Sequence, residues 1–172
     1  MQSHFDLFRL PATYALDRDR LDAAYRELQN TVHPDRFAAS TEAEQRVAMQ
    51  WATRVNEAYQ VLRHPVNRGV YLLSLQGIDA LDATNTQMAP AFLMQQMEWR
   101  EAINDARAAK NAAALDGLMA ELRRAHQDIE ATLARLIDDA HDYDGAREAV
   151  RQLRFMDKLI AEVGDVYEDI EG

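Results

Sequence analysis

The sequence predicts an all-α chain in two pieces, and three observations lead there. Gly (6) and Pro (4) are scarce among 172 residues while hydrophobic residues make up 48%, a balance that favours packed helices over a turn-rich β fold. Apolar residues recur at helical spacing in both halves. Charge divides unevenly: residues 1–76 carry nine Lys/Arg and nine Asp/Glu, residues 77–172 ten and twenty, so the second half holds the whole net charge of −10. Such different electrostatics predict two modules with different partners.

A short element around Phe5–Phe8 comes first. Asp17 then serves as N-cap for a helix from about Arg18 to Val32, with Leu21, Tyr25, Leu28 and Val32 along one face. Pro34 stops it, because the residue before a proline is pushed out of helical angles. A second helix begins after Ser40 or Thr41, with Glu42 and Glu44 in its first turn as the helix dipole prefers. Its apolar line is Trp51, Val55, Ala58 and Leu62, and it ends at His64–Pro65. The two helices form an antiparallel hairpin around a loop of about eight residues. A short helix from about Val66 to Gln76 follows. "QGIDALDATNTQMAP", bracketed by Gly77 and Pro90, is rich in turn formers and reads as a linker. Three helical runs complete the chain, about Ala91–Ala109, Ala112–Asp139 and Tyr143–Glu168. "ARAAKNAAALDG" marks helix ends around a short turn and "DDAHDYDG" separates the last two runs. The expected organisation is a domain at 1–76, a linker at 77–90 and a three-helix bundle at 91–172.

Several function classes drop out. A pI near 4.9 argues against nucleic acid, whose phosphates demand a basic footprint. No apolar run approaches the ~20 residues of a membrane span, and "MQSHFDLFRL" has no secretory signal character. A cytoplasmic protein without membrane contact is expected. Zero cysteines exclude disulfides, Cys-ligated zinc and Cys-held iron–sulfur clusters. His4, His64, His126 and His141 show no i, i+3 or i, i+4 pairing with another histidine, so no metal site and no cofactor are expected. His64 reads as a helix end, His126 and His141 as solvated surface. "DDAHDYD" lacks EF-hand spacing. Trp51 and Trp99 read as core anchors.

The stretch "LQNTVHPDRFA" is the most informative. His33 and Asp35 flanking Pro34 could be a helix stop, an acid–base pair or a docking tip. Proton-transfer chemistry usually adds a nucleophile, a metal or an oxyanion donor, and nothing nearby supplies one; no catalytic residue is assigned and no enzymatic activity expected. As a turn, His-Pro-Asp is serviceable. It sits, however, at the tip of a helical hairpin. Arg26 lies seven residues before His33, Arg36 and Phe37 follow, and "NEAYQVL" closes the second helix. In these features the sequence resembles a J domain, the module by which DnaJ-type co-chaperones engage DnaK-type chaperone ATPases. The resemblance implies that His33, Pro34 and Asp35 contact the chaperone and trigger ATP hydrolysis, with Arg26 and Arg36 as electrostatic helpers. The preceding helix also carries Asp19, Asp22 and Glu27 and no lysine, so it is less basic than many J domains.

No Gly/Phe-rich tract and no Cys-rich region follows, unlike general J proteins. "HFDLFRLPATYALD", "HPDRFA", "LRHPVNRGVYLLSLQG", "AFLMQQMEWRE" and "LRFMDKL" resemble, in order and over nearly the whole chain, the HscB-type co-chaperones of iron–sulfur cluster assembly.

On an ideal helix starting at Leu93, Phe92, Trp99, Ile103 and Ala106 cluster between roughly 220° and 280°, a natural core stripe. Leu93, Met94 and Met97 fall between roughly 0° and 100°, with Glu98 and Glu101 on the same side. This surplus stripe is either wrapped by the bundle on its second side or is a partner surface, where methionine adapts its shape. In HscB-type proteins this helix binds the scaffold on which iron–sulfur clusters are assembled. Leu93, Met94, Met97, Glu98 and Glu101 match the family's binding positions, and Arg154 and Phe155 on the last helix match further ones. The implied partners are a DnaK-type chaperone (HscA in bacterial systems) and an IscU-type scaffold, with the chain itself a monomer. The runner-up is a general DnaJ-type co-chaperone serving other clients.

Overall fold

The structure, a computed structural model, describes residues 2–172. It consists of α1 (His4–Leu7), α2 (Arg18–Val32), α3 (Glu42–Arg63), α4 (Pro65–Leu75), α5 (Pro90–Ala109), α6 (Ala112–Ala134) and α7 (Tyr143–Glu171), with no strand among the described residues. A 3-10 turn at Pro34–Phe37 follows α2, and a π-helical turn at Arg135–Asp139 follows α6. The chain divides into two compact units after Leu72.

Helix starts are set by local hydrogen bonds that satisfy otherwise orphaned amides. Asp17 accepts from the Arg20 amide (3.2 Å), Thr41 from Glu44 (3.2 Å), Asn111 from Ala114 (3.1 Å) and Asp142 from Gly145 (3.0 Å). Ser3 and Asp6 form a reciprocal capping box at α1. Pro90 opens α5, where its missing N–H costs nothing. Lys110 ends that helix in the left-handed region (φ 51°), its turn closed by bonds to Ala106 and Arg107 carbonyls.

In the first unit, α1 and α2 pack on α3, burying Phe5, Leu21, Val55, Ala58 and Leu62. Behind them lies the buried Arg68. Its Nε donates to the Tyr14 carbonyl (2.9 Å), its Nη1 to the Leu62 carbonyl (2.7 Å), and its guanidinium sits 4.6 Å from the Tyr14 ring centroid. Leu62 is in the last turn of α3, where a cation complements the helix dipole. The Tyr14 hydroxyl donates to the Pro65 carbonyl (3.2 Å), so α3, α4 and the N-terminal segment are pinned at one point.

In the second unit, Trp99, Ile103 and Ala106 of α5 pack with Leu115, Leu118 and Leu122 of α6 and Met156, Leu159, Val163 and Val166 of α7. Trp99 is 5% exposed and donates its indole N–H to Glu121 (3.2 Å), the core anchor expected. The segment before α5 is laid out by three successive Asx turns. The Leu81 amide donates to Asp79, Thr84 to Asp82 and Gln87 to Asn85. It is tied to α7 where Ala89 N–H donates to Glu148 (2.5 Å) and Arg151 Nη2 donates to the Gln87 carbonyl (2.5 Å).

Three sequence expectations need correction. Trp51 is not a core anchor: it is 40% exposed. The cover supplied by the N-terminal segment reaches as far as Arg54, which donates to the Gln2 carbonyl (3.1 Å), and Trp51 lies a turn beyond it. Arg54 itself covers part of the ring at 5.3 Å from the centroid. The run expected as one helix from Ala112 to Asp139 keeps α geometry only to Ala134; the Ala140 amide then reaches back to Arg135, the i→i+5 pattern of a π turn. His126 is not solvated surface. It is half-buried between α6 and α7, with Nδ1 3.2 Å from Glu130 and Nε2 3.0 Å from Asp157.

Those two carboxylates, Asp157 first, raise the His126 pKa to about 9. The folded state therefore holds a proton that the unfolded chain releases near pH 6.5. The resulting stabilisation is complete below about pH 6.5 and is lost as pH rises through about 9. Thermal melts should fall between these limits in the native sequence and stay flatter in His126→Gln. With the carboxylates partly exposed, the difference should be on the order of 1 kcal/mol.

Candidate functional site

The first candidate site is the turn after α2. His33 is the C-cap of α2, with extended backbone (φ −59°, ψ 133°), because Pro34 forbids helical angles there. The turn is stapled from within. Asp35 N–H donates to His33 Nδ1 (3.2 Å) and Arg36 N–H to the His33 carbonyl (3.0 Å). Gln45, in the first turns of α3, donates from Nε2 to the Phe37 carbonyl (3.1 Å), with the Ala38 and Ser40 carbonyls at 3.3 and 3.4 Å. The side chains that result are presented, not buried: His33 is 52% and Asp35 93% exposed, with His33 Nδ1 3.6 Å from Asp35 Oδ2. Pro34, Arg36 and Arg26 are also exposed. Beside His33 and Pro34 lies a pocket of about 230 Å³, lined also by Gln29, Val32, Ala52 and Asn56.

The hairpin below the turn is locked by stacked Tyr25 and Tyr59, ring centroids 3.9 Å apart and 8° from parallel. Tyr25 donates to Asn56 Oδ1 (2.8 Å) and Tyr59 to Asp22 Oδ1 (2.7 Å). The Tyr59 bond, then the Arg18 bond, hold the Asp22 carboxyl below the usual carboxylate range. Among the described residues no group of three or more His, Asp or Glu could hold a metal ion.

The second candidate site is on α5. Leu93, Met94 and Met97 are 45%, 65% and 72% exposed, and Glu98 and Glu101 are exposed beside them. Of the two readings of this stripe, the structure excludes wrapping by the bundle. Phe92, one residue away, turns inward: its ring meets Trp99 and Phe155 edge-on at 6.1 and 6.0 Å. Phe155 is therefore a rim residue of the core, with the Arg100 guanidinium 5.4 Å from its ring centroid, while Arg154 is exposed. Phe92 and Phe155 connect the α5 stripe to the α7 pair.

A protein described as the co-chaperone protein HscB homolog of Burkholderia mallei (strain SAVP1) is 59% identical over 169 residues, covering 98% of this chain and 96% of that one. This chain belongs to the HscB family. The Burkholderia thailandensis homolog is 58% identical over the same coverage, and a family model described as the HSCB C-terminal oligomerisation domain matches residues 88–164. The solved chaperone HscB from Vibrio cholerae superposes with a TM-score of 0.85 at 35% identity, covering 98% and 99% of the two chains. Human co-chaperone HscB has the same fold (TM-score 0.84, 24% identity, 95% and 81% covered). The HscB-family fold, a J domain with its HPD turn followed by a C-terminal helical domain, is thus the fold of this chain. No helix among the described residues is long and apolar enough to cross a membrane.

Sequence reasoning missed the residues that hold this HscB-family J domain's turn in place, chiefly Gln45 and Asn56. A glutamine in a helix's first turns carries no distinctive signal; only the fold shows that it faces the turn's carbonyls. Replacing Gln45 with alanine should cost about 1 kcal/mol and accelerate amide exchange at Arg36 and Ser40, measured by hydrogen exchange, with other amides little changed.

Proposed function

We propose that this chain is an adaptor co-chaperone. It binds an IscU-type iron–sulfur scaffold protein, delivers it to a DnaK-type chaperone of the HscA kind and stimulates that chaperone's ATPase, promoting cluster transfer in the cytoplasm. One observation carries the reading: a single chain presents two separate, unused surfaces, an exposed polar turn stapled rigid and an exposed apolar stripe edged by carboxylates.

On this reading His33, Pro34 and Asp35 engage the chaperone. The turn is already ordered, so docking forfeits little conformational entropy, and Arg26 and Arg36 steer the encounter. Leu93, Met94 and Met97 form the apolar centre of the scaffold contact, with Glu98 and Glu101 at its rim and Arg154 and Phe155 beside it. Cluster and nucleotide belong to the partners; no bond is made or broken on this chain. The oligomer suggested by the family description is then the complex with the scaffold, and the chain alone should sediment as a monomer of 19.6 kDa.

His33→Gln should abolish stimulation of the chaperone's ATPase while circular dichroism and scaffold binding stay at native values; undiminished stimulation would remove the turn from the mechanism. Leu93→Ala with Met97→Ala should weaken scaffold binding by roughly 10- to 100-fold. Because both side chains are exposed, the melting temperature should move by no more than about 2 °C. Displacement of the scaffold by unfolded peptides would instead favour the general J-protein reading.

A further inference from the structure

Within the second unit, the Asx-turn segment and α7 line an open pocket of about 350 Å³ whose lining includes Leu81, Met88, Arg151, Arg154, Phe155 and Lys158. The three cations fall at i, i+3 and i+7 of one helix and so share a face. They are three of only ten Lys/Arg in a half-chain with twenty Asp/Glu, a local reversal of the field around them.

That positive charge is poorly neutralised from within. Asp82, which also lines the pocket, accepts from the Thr84 amide and hydroxyl, both at 2.9 Å. Arg151 gives Nη2 to the Gln87 carbonyl, and its Nε and Nη1 are buried without an acceptor. Arg154 and Lys158 are exposed, and neither makes an ion pair among the described residues. The apolar part of the pocket is Leu81, Met88 and Phe155. Phe155 touches Phe92 edge-on, and Met88 lies two residues before the start of α5, so the pocket lies beside the beginning of the exposed α5 stripe.

We infer that this pocket receives an aspartate or glutamate side chain of the scaffold protein, fixing the register in which the scaffold lies along α5. The inference rests on the adaptor reading and adds to it Arg151, Lys158 and Met88 with a stated chemistry. A carboxylate there would meet Lys158 and Arg154 from solvent and the fixed charge of Arg151 from behind. Its methylenes would lie against Met88 and Phe155. Register is what an apolar stripe alone sets poorly, because methionine contacts adapt to several partners.

The test is calorimetric titration of the full chain with the scaffold protein, at about 50 and about 300 mM salt, so that screening reports the charge contribution. Lys158→Glu should weaken binding by roughly tenfold at the lower salt and flatten the salt dependence, and Lys158→Gln should weaken it by roughly threefold. Replacing one scaffold carboxylate by lysine should restore affinity to Lys158→Glu. Lys158 is exposed, so both variants should retain the native circular dichroism spectrum. Affinity within twofold of native with an unaltered salt slope would overturn the inference, as would failure of every scaffold charge swap to rescue. Leu93→Ala separates the two ideas. If it weakens binding while Lys158→Glu does not, only the pocket assignment falls; if neither matters, the adaptor reading falls with it. Binding of phosphatidylglycerol vesicles that is lost in Lys158→Glu, with scaffold affinity unchanged, would make the pocket a lipid site and the inference wrong.

Discussion

Tyr25 and Tyr59 stack with their rings 3.9 Å apart, and the position of the whole turn from His33 to Thr41 follows from that contact. Near the turn, Ala52, Val55 and Asn56 of α3 line one pocket with Gln29 and Val32 of α2. Two tyrosines joined to Asn56 and Asp22 supply both area and direction there. A parallel aromatic pair contributes about 0.5–1.5 kcal/mol beyond its buried area, and its hydroxyl bonds fix the register of one helix against the other. Once register is fixed, Gln45 lies under the carbonyls of Phe37, Ala38 and Ser40. The turn then needs no buried side chain of its own, so His33 and Asp35 remain exposed without being loose.

The second unit solves a different problem. Its α5 carries two apolar stripes, and a helix can turn only one toward a two-helix neighbour. Trp99, Ile103 and Ala106 are placed inside because α6 and α7 supply leucine, methionine and valine opposite them. Leu93, Met94 and Met97 remain in water. Burying even one such side chain is worth about 1.5–3 kcal/mol, so three adjacent exposed ones make a strong incentive for association. The glutamates beside them discourage indiscriminate contacts.

Helix limits were legible wherever a local signal determined them. Asp17, Thr41, Pro34, Pro90 and the Lys110–Asn111 turn act through their own backbone neighbours, and the helices begin or end at those points. The two faces of α5 were legible because helical geometry alone separates them. What escaped depended on tertiary neighbours. Trp51 has the right angle on the helix wheel for burial, yet no element among the described residues covers it and it stays 40% exposed. His126 owes its raised pKa first to Asp157, thirty-one residues away, and periodicity carries no information about such a pair. The segment from 78 to 89 is rich in turn formers, and composition could not reveal that Gln87 and Ala89 would be bonded to α7. Sequence reasoning singled out only Arg154 from the basic row at Arg151, Arg154 and Lys158. The row's significance came only when that segment lined a pocket beside it.

On the adaptor reading the chain does no chemistry, and its effect is to raise one partner's concentration near another. Joining two binding surfaces in one chain makes the second encounter intramolecular, at effective concentrations that reach the millimolar range for short connections. Neither surface then needs high affinity. The small area of the stapled turn fits this, since contacts well below about 1,200 Å² of total buried surface belong to transient encounters. Fast release from the chaperone would let one co-chaperone serve many cycles. The apolar stripe and its basic pocket must hold the scaffold longer than the turn holds the chaperone, because release in the opposite order would deliver nothing. Apolar area supplies that residence time, and a paired carboxylate supplies the register, which is why the two lie side by side in the second unit.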